Sequence, residues 1–291
     1  MHISSNKKTA AVIGDPISHS LSPKLHGYLL NKYNIGGIYL PFKVAKEDLK
    51  TCITSFTNLG FAGFNVTIPH KESIIKFCHE LSPRAKAIGA VNTVVIDHNG
   101  KLRGDNSDGI GFINNIKQNQ PNFTFKGKHV TVLGAGGAAR AICFSLMEEG
   151  VGEINIINRS HDKAEHIRHD FAKFKNFKTI ITVENWKKRN EAIQDSDLLI
   201  NTTSLGMAGH LELEINLINL KPDALVTDIV YKPLMTKLLS DAKNQGNPIV
   251  TGIGMLINQG LVGFEAWYKI KPEVDKTLVK NMIEWAANPD K

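Results

Sequence analysis

At 291 residues, the chain is long enough for two domains with separate cores. Its apolar and charged fractions, 42% and 22%, are typical of an ordinary globular protein and exclude a disordered or fibrous chain. The formal net charge of +7 comes mostly from residues 1–107, without the basic blocks and interleaved aromatic residues of nucleic-acid-binding proteins. We therefore expect no nucleic-acid partner, and the basic surplus is compatible with a small anionic substrate.

Targeting features and cysteine usage both favour the cytoplasm. The first residues lack the apolar core of a secretion signal, and no apolar run approaches the roughly 20 residues of a membrane span, so we expect no membrane partner. The three cysteines, Cys52, Cys78 and Cys143, are scattered and lack metal-type spacing. This pattern predicts reduced thiols and no metal site.

In residues 1–107, short apolar runs alternate with amphipathic segments. The pattern predicts strands over residues 9–13, 38–44 and 63–68, and a hairpin of 90–97 with 101–104 about Asn99-Gly100. Predicted helices begin at Ser22, near Lys46, at Pro69 and near Pro83. Ser22 before Pro23 forms a good N-cap and N1 pair. The alternation predicts a mainly parallel, twisted sheet.

The same alternation continues after a polar, glycine-flanked loop at residues 104–109, the candidate domain boundary. Six strands are predicted, over residues 130–133, 153–158, 178–182, 198–201, 225–229 and 248–251. Helices are predicted over 108–118, 138–149, 161–174 and 234–244, with a short helix after Asn185. The last forty residues carry two further helical patterns, too few for a third domain, so we expect them to pack on the first.

A glycine turn follows the first strand of the second region. Gly134, Gly136 and Ala139 match the G-x-G-x-x-G/A fingerprint of dinucleotide-binding proteins, between a strand and a helix as the motif requires. The first glycine permits the tight turn, and the second lets the backbone approach a pyrophosphate. The helix N-terminus then offers free N–H groups to the phosphates. These features predict a Rossmann-type domain over residues 108–251.

The end of the second strand of this region indicates which dinucleotide binds. An NAD site usually has Asp or Glu there to bind the ribose 2′-hydroxyl, whereas this chain has Asn158, Arg159 and Ser160, with Lys163 one helical turn later. A guanidinium can bind a 2′-phosphate through two charge-assisted hydrogen bonds. The alternative is a solvated Arg and Lys at the start of a surface helix. We predict NADP as the cofactor.

A nicotinamide enzyme also needs a group that moves the proton when hydride moves. Residues 1–107 plus 252–291 would form that substrate-binding and catalytic domain. Its candidates are polar residues at strand ends and in the following loops, together with the first residue of the next region: Ser20, Ser22, Asn65, Thr67, Lys71, Asn92 and Asp108. Lys71 follows an apolar strand and Pro69, so its amine is a candidate acid/base. Each also has a structural alternative: Ser22 as a helix cap, Thr67 as a strand residue and Lys71 as a solvated lysine.

Seven short motifs resemble those of the shikimate dehydrogenase family, in family order and at similar spacing. They are SLSP at residues 20–23, NVTIPHK at 65–71, GAVNT at 89–93, GDNSDG at 104–109, GAGGA at 134–138, NRS at 158–160 and GMLINQG at 254–260. The resemblance covers the whole chain. It implies a cytoplasmic enzyme of aromatic amino-acid biosynthesis that reversibly reduces 3-dehydroshikimate to shikimate with NADPH.

The resemblance also implies roles for individual residues. Lys71 and Asp108 would form the catalytic pair, and Ser20 and Ser22 would bind the substrate carboxylate. Other substrate-binding residues would be Thr67, Asn92, Tyr231 and Gln259. Cofactor-binding residues would be Gly134, Ala135, Gly136, Gly137, Ala138, Asn158, Arg159, Ser160, Lys163, Thr202, Gly252 and Met255.

The chain departs from the family pattern at four positions. Family members often have Thr at Ser107, Asp at Thr251, Asn at Lys232 and a second Arg at Lys163. The lysine keeps the positive charge but loses the planar fork of arginine. These departures affect the expected cofactor affinity and not the expected reaction.

Three alternatives stay open. One is a quinate/shikimate dehydrogenase that uses NAD or both cofactors, against which Asn158-Arg159 argues. Another is a non-catalytic NADP-binding sensor, which predicts losses at Lys71 or Asp108. The third is a related folate or amino-acid dehydrogenase, which should lack the Ser20/Ser22 pair. A monomer and a homodimer are equally compatible with the sequence.

Overall fold

The computed structural model describes residues 8–288, and the chain divides into two compact units. The first contains the residues up to Asp108 together with those from Leu256 onward. The second runs from Gly109 to Met255. The boundaries expected from the sequence lie one residue earlier at the first junction and four residues earlier at the second.

The first unit is built on a six-stranded sheet in the order β2-β1-β3-β5-β6-β4. The strands are β1 (Lys8–Gly14), β2 (Gly37–Lys43), β3 (Gly63–Val66), β4 (Glu80–Leu81), β5 (Thr93–Ile96) and β6 (Leu102–Asp105). β1 pairs in parallel with β2 and β3, and β4 with β6, whereas β5 runs antiparallel to β3 and β6. Three of the five strand junctions are therefore parallel, and the predicted hairpin about Asn99-Gly100 is confirmed as β5 and β6.

Helices cover the sheet of the first unit. They are α1 (Ser22–Lys32), α2 (Leu49–Asn58), α3 (Pro83–Ile88) and, from the end of the chain, α8 (Ile253–Tyr268), whose first three residues belong to the second unit, and α9 (Lys276–Ala287). Phe56, Phe61 and Phe64 belong to one buried cluster of the unit. Trp267 of α8 is also fully buried, and its indole N–H donates to Val94 O at 2.9 Å. This bond attaches α8 to the middle of the sheet.

The second unit has a six-stranded, fully parallel sheet in the order β12-β11-β10-β7-β8-β9. The strands are β7 (His129–Leu133), β8 (Glu153–Asn158), β9 (Ile180–Asn185), β10 (Leu198–Asn201), β11 (Leu225–Asp228) and β12 (Ile249–Val250). Counted within the unit, this is the order 3-2-1-4-5-6 of the doubly wound dinucleotide fold. The predicted α/β class and the six predicted strands are confirmed.

The remaining helices belong to the second unit. They are α4 (Asp108–Asn119), whose first residue is the last of the first unit, α5 (Gly137–Glu148), α6 (His161–Phe171) and α7 (Lys237–Gln245). Asn115 of α4 is buried and donates to Thr251 O at 2.8 Å, and a side chain at Gly254 would overlap the Asn115 amide. The segments that enter and leave this unit are therefore held together.

Two helix predictions for the first unit are wrong. Ser22 is the first residue of α1 and makes no cap hydrogen bond, since Leu21 holds the N-cap position. Pro69 does not begin an α-helix, because His70 N bonds back to Thr67 O at 2.9 Å and the buried His70 ring bonds to Val44 O at 2.7 Å. These contacts fold residues 69–72 into turns, followed by a short 3-10 helix at Ser73–Phe77. The short strand β4 was not predicted.

Among residues 8–288, no helix is long and apolar enough to cross a membrane. Over the same residues, no group of three His, Cys, Asp or Glu side chains is arranged to hold a metal ion.

Candidate active site

Lys71 and Asp108 form a largely buried ion pair in the first unit. Lys71 Nζ lies 2.5 Å from Asp108 Oδ2, and the two side chains are 16% and 6% exposed. Lys71 comes from the turn after β3, and its carbonyl accepts from Val91 N at 2.8 Å. Asp108 is the first residue of α4, where its amide bonds to Asn106 Oδ1 at 3.1 Å. The backbone on both sides is thus fixed, and the pair is a short, charge-assisted contact.

Asn92 orients the second oxygen of Asp108. Its Nδ2 donates to Asp108 Oδ1 at 2.8 Å and lies 3.3 Å from Gln259 Oε1. Its Oδ1 accepts from Ser107 N at 2.9 Å. The Ser107 hydroxyl also bonds to Gln259 O at 3.1 Å, so serine satisfies this position, where the family often has threonine. Lys71, Asn92, Asp108 and Gln259 are therefore brought together, although 188 positions separate the first from the last.

Ser20, Ser22 and Thr67 lie outside this cluster. Ser22 N bonds to Ser20 Oγ at 3.3 Å, so the two predicted carboxylate-binding serines are adjacent. Thr67 N bonds to Ile13 O at 2.9 Å, which aligns Thr67 with the end of β1. In the described part of the chain, no direct hydrogen bond joins these three residues to Lys71 or Asp108.

A second polar layer, formed by Tyr39, Asn65 and Thr93, lies behind Asn92. Tyr39 was not identified as a site residue from the sequence. Tyr39 OH donates to Asn65 Oδ1 at 2.7 Å, and Asn65 Nδ2 lies 3.2 Å from Thr93 Oγ1. All three residues are at most 6% exposed. A tyrosine in a mostly apolar strand was the available signal, because a buried phenol needs a hydrogen-bond partner.

The fingerprint turn of the second unit is shaped for a pyrophosphate. Gly134 has φ +114°, and a side chain there would overlap the Thr202 hydroxyl. That hydroxyl donates to Leu133 O at 2.7 Å. Gly136 has an ordinary extended conformation, and an added Cβ would have no protein atom within 4 Å. The protein itself therefore does not require glycine at 136, whereas a closely approaching ligand would.

The start of α5 is the second feature that fits a phosphate. Its N-cap residue is Gly136, and no side chain caps the first turn. The N–H groups of that turn therefore lack a side-chain acceptor and can bind an anion. Ala135, Gly137 and Ala138 complete the turn, and Ala139 is fully buried against the sheet. These residues would hold the cofactor pyrophosphate.

Basic side chains stand at the end of β8, the strand beside the fingerprint strand β7. Arg159, Ser160 and Lys163 are exposed, and Asn158 Nδ2 donates to Ser160 O at 2.8 Å. Helix α6 begins here without a side-chain cap. The site thus combines two exposed cations with a helix N-terminus that no side chain caps, which suits a 2′-phosphate.

The buried carboxylate of Asp228 links the ends of β10 and β11 in the second sheet. Asp228, at the end of β11, accepts from Asn201 Nδ2 at 3.0 Å and Thr236 Oγ1 at 2.8 Å. Burial raises the pKa of Asp228 to about 6. A side chain at Gly252 would lie 2.7 Å from Asp228 O, so this glycine permits close backbone packing. Tyr231 follows β11 and is half-buried, whereas Met255 is buried in α8.

The doubly wound sheet, the uncapped phosphate turn and the Lys71–Asp108 pair define the class: an NADP-dependent oxidoreductase. Family models agree. Residues 12–94 match the shikimate dehydrogenase substrate-binding domain, and residues 116–209 match shikimate/quinate 5-dehydrogenase. The chain belongs to the shikimate dehydrogenase family.

Individual relatives match along nearly the whole chain. An NADP(+) shikimate dehydrogenase of Rhodospirillum rubrum is 45% identical over 276 residues, which cover 95% of this chain and 97% of that protein. A solved shikimate dehydrogenase in complex with NADP+ is 35% identical with a TM-score of 0.87, covering 97% of this chain and 96% of its own. The Thermus thermophilus enzyme, solved with NADP(H) and shikimate, is 32% identical with a TM-score of 0.82, covering 96% and 99%.

Proposed function

We propose that the chain catalyses the reversible reduction of 3-dehydroshikimate to shikimate with NADPH, a step of aromatic amino-acid biosynthesis. The observation that carries this is the buried Lys71–Asp108 pair, held by Asn92 and Gln259. Residues 1–107 with 252–291 would bind the substrate, and residues 108–251 would bind NADP.

Bound NADPH supplies the hydride. Lys71 then donates a proton from its ammonium group to the carbonyl oxygen of the substrate, and water restores that proton. In the reverse direction, the neutral amine accepts the hydroxyl proton. Asp108 holds the Lys71 nitrogen at 2.5 Å, so the donor is positioned before the substrate arrives.

The other residues bind and orient the substrate. The adjacent Ser20 and Ser22 would donate hydroxyl hydrogen bonds to its carboxylate, helped by the basic surplus of the first domain. Thr67, Asn92 and Gln259 would bind the ring hydroxyls, and Tyr231 would also bind the substrate.

The phosphate turn and the end of β8 would hold the cofactor. Gly134–138 would bind the pyrophosphate, and Asn158, Arg159, Ser160 and Lys163 would bind the 2′-phosphate. Thr202, Gly252 and Met255 would line the nicotinamide side. Exposed cations at 159 and 163, with no carboxylate at 158–160, favour NADP over NAD.

We further propose that the enzyme works in the cytoplasm. Cys52, Cys78 and Cys143 are all unpaired, and burial raises the pKa of Cys52 and Cys78 to about 11. Unpaired, protonated thiols suit a reducing compartment.

Initial rates with four substrate pairs test the function: shikimate or quinate as reductant, each with NADP+ or NAD+. We expect the shikimate and NADP+ pair to have the highest kcat/KM, by about tenfold or more. Equal efficiency with NAD+ would contradict the cofactor assignment, and a preference for quinate would contradict the substrate assignment. NADP+ binding without turnover of either substrate would indicate a sensor.

A further inference from the structure

Tyr39 carries a hydroxyl that the proposed mechanism does not use. The residue lies on β2 and is 6% exposed, with its ring stacked on His26 at a centroid distance of 3.9 Å. Its OH donates to Asn65 Oδ1 at 2.7 Å. Tyr39 thus belongs to the buried polar layer behind Asn92.

The hydrogen bonds beyond Asn65 all run in one direction. Because Asn65 Oδ1 accepts from Tyr39, the Asn65 Nδ2 donates, to Thr93 Oγ1 at 3.2 Å and to Asn92 O at 3.1 Å. Thr93 Oγ1 then donates to Asn92 Oδ1 at 3.0 Å. Asn92 Oδ1 accepts this bond together with the one from Ser107 N at 2.9 Å, so Asn92 presents Nδ2 to Asp108 Oδ1 at 2.8 Å.

The direction matters because an asparagine amide has two chemically different ends. If Asn92 turned over, its oxygen would face the Asp108 carboxylate, and acceptor would meet acceptor. The Tyr39 hydroxyl, as donor, and the Asn92 carbonyl, as acceptor, together fix the Asn65 amide, and the Asn65 amide donates to Thr93. Buried hydrogen bonds in such a chain strengthen one another, so losing the first weakens the rest.

We propose that Tyr39 is a positioning residue for the Lys71–Asp108 pair, acting through Asn65, Thr93 and Asn92. The kinetic test of this role rests on the proposed function, whereas the position of Asn92 does not.

Tyr39→Phe tests this, because phenylalanine keeps the ring against His26 and removes only the hydroxyl. We expect kcat for shikimate oxidation to fall about tenfold, with the NADP+ dissociation constant and the melting temperature nearly unchanged. The matched control is Tyr268→Phe. Tyr268 is equally buried, at 7% exposure, but its hydroxyl contacts Ile38 O at 3.4 Å, outside the chain. An equal loss of kcat in the control would assign the effect to packing and overturn the proposal.

A double-mutant cycle with Asn65→Leu tests the route. Leucine can neither accept from Tyr39 nor donate to Thr93, so Tyr39→Phe should cause little further loss in that background. The same tenfold loss with and without Asn65 would mean that Tyr39 acts by another path, and the proposal would fail.

A crystal structure of Tyr39→Phe tests the proposal without an activity measurement, because it shows the hydrogen bonds directly. We expect Asn65 to reorient and the Asn92 Nδ2–Asp108 Oδ1 contact to lengthen beyond 2.8 Å. An unchanged contact would overturn the inference even in an active enzyme. Wild-type protein that fails to oxidise shikimate, but whose Tyr39→Phe variant loses this contact, would overturn the proposed function alone.

Discussion

The chemistry at the level of single residues depends on Lys71. Replacing it with alanine removes the proposed proton donor and leaves the phosphate turn of the second unit untouched. General acid–base groups typically contribute 10²–10⁴-fold, so we expect Lys71→Ala to lower turnover by about 100-fold or more while NADP+ binding is retained.

Steady-state rates and fluorescence titration with NADP+ measure the two effects separately. Lys76→Ala is the control, because Lys76 is exposed on the neighbouring 3-10 helix with its amine over the Phe77 ring. Near wild-type turnover in Lys71→Ala would remove this residue from the mechanism.

His26 predicts how stability depends on pH. Its ring is fully buried between Tyr39, Phe264 and Trp267, and neither ring nitrogen has a hydrogen-bond partner among the described residues. Burial lowers the pKa of His26 from 6.5 to about 3. The unfolded chain therefore binds a proton that the folded protein excludes, so this contribution is intact above pH 6.5 and is lost as pH falls towards 3. At pH 5 the loss is about 2 kcal/mol.

Urea unfolding of wild type and His26→Phe at pH 7 and pH 5 measures this contribution as a difference. The variant keeps an aromatic ring against Tyr39 but cannot be protonated, so its stability should fall by about 2 kcal/mol less than that of wild type. His169→Phe, at a ring that is 78% exposed, serves as the control. Parallel pH profiles for wild type and His26→Phe would contradict the prediction.

At the level of elements, the sequence predicted strands better than helix starts. The strands β7 and β10 of the second sheet are short, mostly apolar runs, because a parallel sheet is covered on both faces. Helix starts were read from local cap signals, which tertiary contacts can override. At Pro69 the buried ring of His70, bonded to Val44 O, determines the path of the chain instead.

The candidate site, too, could be predicted only in part from the sequence. Lys71, Asn92 and Asp108 were found because each lies in a motif, but their mutual bonds could not be read from spacing. Tyr39 was missed because its hydrogen-bond partner, Asn65, is 26 positions away along the chain. Only the paired strands β2, β1 and β3 bring Tyr39 and Asn65 together.

The turn before α5 offers a test of the cofactor site. An alanine at Gly136 would place its Cβ where no protein atom lies within 4 Å, in the path of an approaching pyrophosphate. We expect Gly136→Ala to weaken NADP+ binding about tenfold or more, while stability changes by less than about 1 kcal/mol. Gly134→Ala should instead destabilise the fold, since φ is +114° and the Thr202 hydroxyl is in the way. Calorimetric titration and thermal melts distinguish the two, and unaltered binding in Gly136→Ala would exclude pyrophosphate contact there.

At the level of the whole molecule, the proposed proton transfer and the proposed cofactor binding are assigned to different units. Every predicted proton-transfer residue belongs to the first unit, which is made of two separate chain segments, and the phosphate turn belongs to the second, which is continuous. Each unit has its own six-stranded sheet. A continuous segment with a complete sheet and its own buried core meets the requirements for independent folding.

The fragment of residues 108–255 should therefore fold alone and bind NADP+. A hydrogen bond holds the two ends of this fragment close together, because Asn115 of α4 donates to Thr251 O at 2.8 Å. We expect a cooperative melt by circular dichroism, an NADP+ affinity within about tenfold of the full chain, and no shikimate oxidation, since Lys71, Asn92 and Gln259 are absent. Asn115→Leu should destabilise the fragment by about 1 kcal/mol, because the partly buried hydrogen bond to Thr251 O would be lost. A disordered fragment, or one that binds NADP+ far more weakly than the full chain, would show that the second unit depends on the first for its fold.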